Sequence, residues 1–262
     1  MIVGVSAVGL FLGAPLLVFS FSVFFKPLVL NFHASRAAVS FAFSLQNSVG
    51  ALWIPLSGML IDRLGAKRVI IWMTLFYGLI LTSALWVGSS IWQLYLFFSL
   101  AGIGLSGGPS PVPYGAVISH WFNRRRGLAL GLSMLDIGVG SVVAPILAQR
   151  LITIFGWRIT YAVFGVAVLL VPLPIATALL QNDPAQRGLQ PDGDETAPDS
   201  LLSKQDKQGM TWREIWHSPV FWMLICIFSL VGTCVHGAIL HMSAIFTDRG
   251  VSAEHAAMAA SR

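Results

Sequence analysis

Seven long apolar runs, at residues 2–25, 37–61, 69–87, 91–118, 127–147, 159–180 and 220–245, constrain this chain more than any other feature. Each has about the 18–20 residues a helix needs to cross a hydrocarbon layer ~30 Å thick. Inside such a layer the backbone must satisfy its own N–H and C=O groups, so runs this continuous are read as helices. A buried helix of a soluble protein can be equally apolar, but soluble chains do not string seven together through short turns. Only 10% of the residues are charged, where about a quarter is usual for a soluble domain. The expectation is an all-α polytopic membrane protein.

The net charge of +5 does not point to nucleic acid, because the basic residues sit in the turns and form no single face. Lys26 and Arg36 fall in the first turn, and Arg63, Lys67 and Arg68 in the second. Arg124, Arg125 and Arg126 occupy the fourth, and Arg150 and Arg158 flank the fifth. The sixth holds Arg187, Lys204, Lys207 and Arg213, and the seventh Arg249. Even turns therefore carry ten and odd turns five. The excess of Lys and Arg marks the cytoplasmic side, so the amino terminus and the even turns are expected there. Cys226 and Cys234 lie eight residues apart on one expected helix. That is about 12 Å along its axis, beyond disulfide reach. The first run lacks a basic start and a small-residue cleavage site, and reads as a span rather than a removable signal.

Residues 1–180 read as a six-helix bundle, 181–217 as a polar cytoplasmic linker, and 218–262 as a seventh span with the opening of an eighth. The linker holds seven of the eleven acidic residues, and its QNDPAQRGLQPDGDETAPD is too poor in apolar residues to build a core. A short surface helix is expected near 210–217. Six spans, a linker and a restart is the layout of transporters made of two halves with a site between them. The expectation drawn from the last residues, AEHAAMAASR, is an incomplete copy whose second half is missing.

Between the second and third runs the chain reads GMLIDRLGAKR, residues 58–68. Gly58 admits a closely packed helix, and Gly65 suits a turn that needs positive φ. Asp62 is placed to meet the positive end of a neighbouring helix. Arg63, Lys67 and Arg68 suit a loop beside anionic lipid. The pattern and its place resemble the signature loop of the major facilitator superfamily. VFFKP at 23–27, WFNRRRGLALG at 121–131, FGWR at 155–158, DPAQRGLQPDG at 183–193 and HMSAIFTDRGVS at 241–252 narrow this. Together they resemble the monocarboxylate transporter family, including its bacterial branch with the oxalate/formate antiporters. In the bridge of the fourth turn, Arg124, Arg125, Arg126 and Gly127 carry the resemblance. It implies symport of a small organic anion with protons, or exchange for a counter-anion, by a multi-pass protein of the bacterial inner membrane with no cofactor and no enzymatic activity. The sequence departs from the family where animal members carry a lysine in the first span, which is Phe19 here. The helix-5 motif of drug antiporters is also missing from GLSMLDIGVGSVVAP.

Ionisable groups in a bilayer are costly and mark function or pairing. Asp136, nine residues into the fifth run, is a candidate proton-coupling site, with a structural hydrogen bond to another helix as the alternative. Asn47, beside Gln46 and Ser48, is a candidate for interhelical bonding or cavity polarity. The fourth run holds GIGLSGGPSPVPYG at 102–115, expected to kink and pack closely. The resemblance places this helix on the central cavity, so Tyr114 could meet a carboxylate or sit at the interface. His236 and His241 lie toward the outer end of the seventh run, as entry or packing residues. Lys26 closes the first run, by snorkelling or by attracting anions. No pattern for a metal, nucleotide or nucleophile site stands out. The first seven runs have no Lys or Arg near mid-membrane, so a carboxylate would need its counter-charge from elsewhere. An exporter of a neutral metabolite or drug, and a non-transporting membrane fragment or scaffold, are the alternatives.

Overall fold

The computed structural model describes residues 2–122, 124–181, 212–231 and 234. The chain divides into two units, Met1–Glu195 and Thr196–Arg262, and every regular element among the described residues is helical.

Among its described residues the first unit has five helices long and apolar enough to cross a membrane; dividing the last at its kink, Gly156, groups its helices into six consecutive spans. Span one is α1 (Ile2–Phe11), a π-turn at Pro15–Phe19 and α2 (Phe21–Phe32). Span two is α3 (Arg36–Leu64), and span three is α4 (Ala66–Thr82) with a 3-10 turn at Ser83–Trp86. Span four is split into α5 (Ile91–Gly107) and α6 (Pro111–Trp121). Spans five and six share α7 (Arg126–Leu170), which is two helices meeting at Gly156, and the sixth finishes in α8 (Pro172–Leu179).

Two boundaries differ from the sequence reading. Span one does not close at Lys26: Pro27 lies inside α2, which runs on to Phe32 and ends where His33 adopts φ 47°. Proline removes one intrahelical bond, but leaving the helix within a bilayer would strand more backbone groups than that. Lys26 is thus an exposed residue on a helix, and the first turn is only His33–Ser35. The fifth turn, expected as a loop between Arg150 and Arg158, is reduced to Gly156 at φ 79° and ψ 169°.

The spans cross at small residues, as helices in lipid do when backbone contact replaces the hydrophobic drive. A Cβ on Gly165 would stand 2.6 Å from the Gly78 carbonyl, and one on Gly104 would stand 2.9 Å from the Tyr77 Cα. Gly13 abuts the Pro109 carbonyl, Gly102 the Gln46 carbonyl, and Gly140 the Pro15 ring. The buried apolar residues form two clusters. The larger is aromatic, around Phe21, Phe24, Phe98, Trp157, Tyr161 and Phe164, with Phe24 stacked on Tyr161 at 3.9 Å. The smaller gathers Ile2, Leu10, Ile70, Tyr114, Ile118 and Ala129 at the opposite end.

In the second unit, α9 (Trp212–His217) occupies the stretch expected as a short surface helix, and α10 (Pro219–Val231) follows. The Trp222 indole donates to the Trp216 carbonyl at 3.0 Å, and Cys226 and Cys234 are exposed thiols.

Candidate functional site

Between the two clusters lies a level where two helices are broken. Span one breaks at Leu12–Gly13, ahead of Pro15, and span four at Gly108–Ser110, between Gly107 and Pro111. The breaks touch, Gly13 against Pro109. Glycine and proline at these points remove the Cβ that would keep the helices apart and the N–H that would continue them. Side chains take up part of what is freed. The Tyr77 hydroxyl donates to the Gly13 carbonyl at 3.2 Å, and the Ser110 hydroxyl donates to the Ser106 carbonyl at 2.7 Å. Buried polar atoms near this level go unpartnered among the described residues: Gln46 Oε1, Thr74 Oγ1 and the Tyr114 hydroxyl. Each such group costs about 1–3 kcal/mol, so this level is not arranged for stability alone. Irregular backbone at membrane depth is tolerated where protein buries it or it lines a cavity.

A cavity is present beside it. Gln46, Asn47 and Gly50 of α3 face Gly102, Leu105 and Ser106 of α5 across a recess of about 180 Å³. Asn47 is exposed, and its amide N–H donates to the Phe43 carbonyl of its own helix at 2.8 Å. Its reach across to another helix, expected as interhelical bonding, is not made among the described residues.

The other candidates do not converge there. Tyr114 is 1% exposed and lies against Gly9 of α1, where a Cβ would strike its ring. In this packing its ring is buried among Ile2, Leu10, Ile70 and Ile118. Asp136 is half-buried at the edge of the buried stripe Ala129, Ser133, Gly140, Ala144 and Ala148 on α7. No hydrogen bond or ion pair reaches it among the described residues. Lys26 is exposed on α2. His236 and His241 lie outside the described residues, and no group of three His, Cys, Asp or Glu side chains gathers among those described.

The signature turn is open. Gly65 takes φ 84° and ψ 145° and joins α3 directly to α4. Nothing stands within 4 Å of a Cβ added to Gly58. Asp62, Arg63 and Arg68 are exposed, and Lys67 is half-buried. Arg124, Arg125, Arg126 and Gly127 are likewise exposed at the start of α7. Three cations at the positive end of a helix oppose its dipole by a few tenths of a kcal/mol each, so their role lies outside the helix they start.

Arg158 behaves in the opposite way, and the sequence reading counted it only as a turn charge. Its Nε donates to the Val87 carbonyl at 2.8 Å and one terminal nitrogen to Asn31 Oδ1 at 2.9 Å. The other terminal nitrogen donates to the Gly88 carbonyl at 3.1 Å, and the guanidinium lies 4.5 Å from the Trp157 ring. One side chain thus fastens the ends of spans one, three and six. Its only sequence signal was FGWR. Ser106 and Tyr77 carried none of their own.

A family model described as Major Facilitator Superfamily matches residues 7–261. The chain is similar to the MFS transporter asaE of Aspergillus flavus, 33% identical over 62% of this chain and 36% of that protein. It is similar to the riboflavin transporter RibJ of Trypanosoma brucei brucei, 32% identical over 64% of this chain and 30% of that one. Human monocarboxylate transporter 2 is 29% identical over 74% of this chain and 40% of its own length. The chain spans about a third of the length of these curated relatives.

Proposed function

The chain belongs to the Major Facilitator Superfamily, and from that premise we propose that it forms one half of a secondary transporter for a small organic anion of the monocarboxylate class. The observation that carries this is the pair of broken helices in contact at Gly13 and Pro109, beside the polar recess of Gln46, Asn47 and Ser106. Broken helices at mid-membrane are a recurrent setting for transporter sites. The cargo binds against this level while the half rocks on its partner, and the anion's counter-charge comes from the other half. The amino terminus and the turns at Gly65 and Arg124–Arg126 face the cytoplasm, in a bacterial inner membrane, with anionic lipid against the basic residues.

Asp136 is the coupling group in this reading: a carboxyl in an apolar helix with no hydrogen bond or ion pair among the described residues, and ionisable groups in a bilayer mark function or pairing. Uptake of labelled lactate, formate and oxalate into proteoliposomes by the protein of the natural gene tests the cargo. Asp136→Asn should remove uptake driven by a pH gradient, because an amide cannot carry the coupled proton. It should also leave exchange of one anion for another. Unchanged proton-driven uptake sinks the role of Asp136, and no uptake of any of the three acids sinks the monocarboxylate reading.

A neutral cargo is the second reading. The recess carries no charged side chain, and one relative is a riboflavin transporter. Riboflavin uptake without acid uptake would decide for it.

A further inference from the structure

We propose that the recess between α3 and α5 is a hydroxyl subsite, which takes a neutral hydroxyl of the cargo against Gln46, Asn47 and Ser106. The proposal rests on the transport reading above and names what that site recognises.

The recess lies where two glycines, Gly50 and Gly102, let α3 and α5 approach closely. A Cβ on Gly50 would stand 2.6 Å from Ser106 Oγ and 3.2 Å from the Gly102 carbonyl, so a side chain there would displace α5 and the Ser106 hydroxyl. The recess is about 180 Å³, well above the roughly 10–15 Å³ that one water needs in the same measure, enough for the hydroxyl-bearing end of a small molecule. The polar set is uncharged and mixed. Ser106 brings a hydroxyl that both donates and accepts. The Asn47 amide has given an N–H to the Phe43 carbonyl, and its oxygen stays an acceptor. Gln46, only 2% exposed, has an amide oxygen with no partner among the described residues. A carboxylate here would set its charge against two amide oxygens with no cation in the lining. A hydroxyl fits the set, because it donates to an amide oxygen while accepting from Ser106. The recess also lies on a reachable face. Asn47, Ala51, Ile54, Gly58 and Asp62 recur at helical spacing along α3, all of them exposed or half-exposed.

The test uses the whole protein of the natural gene. In Ala51→Cys, a lining position outside the polar set, alkylation by maleimide is read by peptide mass. Lactate should slow it at least fivefold, and propionate, the same acid without the hydroxyl, should not. In proteoliposomes the preference for lactate over propionate should fall about tenfold from the wild type in Gln46→Met and in Ser106→Ala. It should hold in Ser99→Ala, whose hydroxyl bonds the Tyr95 carbonyl of its own helix. Equal protection by propionate, or a preference unmoved in both recess variants, overturns the subsite. If neither acid is carried, the monocarboxylate reading fails by itself. Labelling then decides the subsite alone: protection by riboflavin or glycerol upholds it, and protection by no hydroxyl compound overturns it.

Discussion

Two turns of the bundle use one backbone device and put it to different ends. Gly65 joins spans two and three at φ 84°, ψ 145°, and Gly156 joins spans five and six at φ 79°, ψ 169°. In each a helix ends and the next begins across a single glycine, and a basic residue follows two positions later: Lys67 and Arg158. Spans one to three and four to six thus repeat a three-helix plan, as internal repeats do in transporters. Around Gly156, Arg158 is drawn inward and bonds the Val87 and Gly88 carbonyls of the third turn and the Asn31 side-chain oxygen near the end of α2. Around Gly65, Asp62, Arg63 and Arg68 remain exposed and Gly58 fronts open space. The same turn therefore carries an inward-bonded arginine at one end of the bundle and exposed charges at the other. On the transport reading proposed above, that asymmetry gives a rigid end that moves as one body and a charged end that makes and breaks contacts.

The comparison breaks most readily at Arg158. Arg158→Leu leaves the Val87 and Gly88 carbonyls and Asn31 without their donor, and should cost about 3 kcal/mol, since hydrogen bonds to charged groups contribute ~1.5–3 kcal/mol each. Denaturant unfolding in detergent measures it. Arg158→Lys should recover only part, because a lysine lacks the planar fork that serves three acceptors. A loss under about 1 kcal/mol would mean that this end is no more fastened than the other.

Next come the glycines. Gly65→Ala and Gly156→Ala force an L side chain into a backbone region costing about 1–3 kcal/mol, and the two losses should match. A strongly unequal pair would show that the turns only look alike. The smallest stability effect is expected at Asp62. Asp62→Asn should change unfolding by no more than about 0.5 kcal/mol, as exposed substitutions do, while slowing transport. A larger loss would mean that Asp62 is bound within its own half.

The signature turn was legible because its signals are local: the positive φ at Gly65 and the charges around it need no neighbour to be understood. Asp136 was legible as an anomaly, a carboxyl in an apolar run, though its half-buried setting was not. Arg158 was misjudged because counting Lys and Arg treats each as a charge in a turn. Its true partners lie 71 and 127 residues away in sequence. Lys26 was misjudged because Pro27 reads as a stop signal, which holds in water, where freed backbone groups find partners. In lipid the helix continues through it.

What the sequence determined alone is that the described first unit is built of apolar helices, and the chemistry of its turns. Hydropathy summed over about twenty residues decides whether a segment enters lipid, and glycine and proline act on their own backbone. What only the tertiary structure decided is which polar groups are paired. Tyr77 reaches the Gly13 carbonyl across 64 residues, Tyr114 fills the space left by Gly9, and Gln46 stays unpartnered beside an open recess. A hydrogen bond needs its partner within about 3 Å, and that distance is set where helices cross, by the small residues of two spans together.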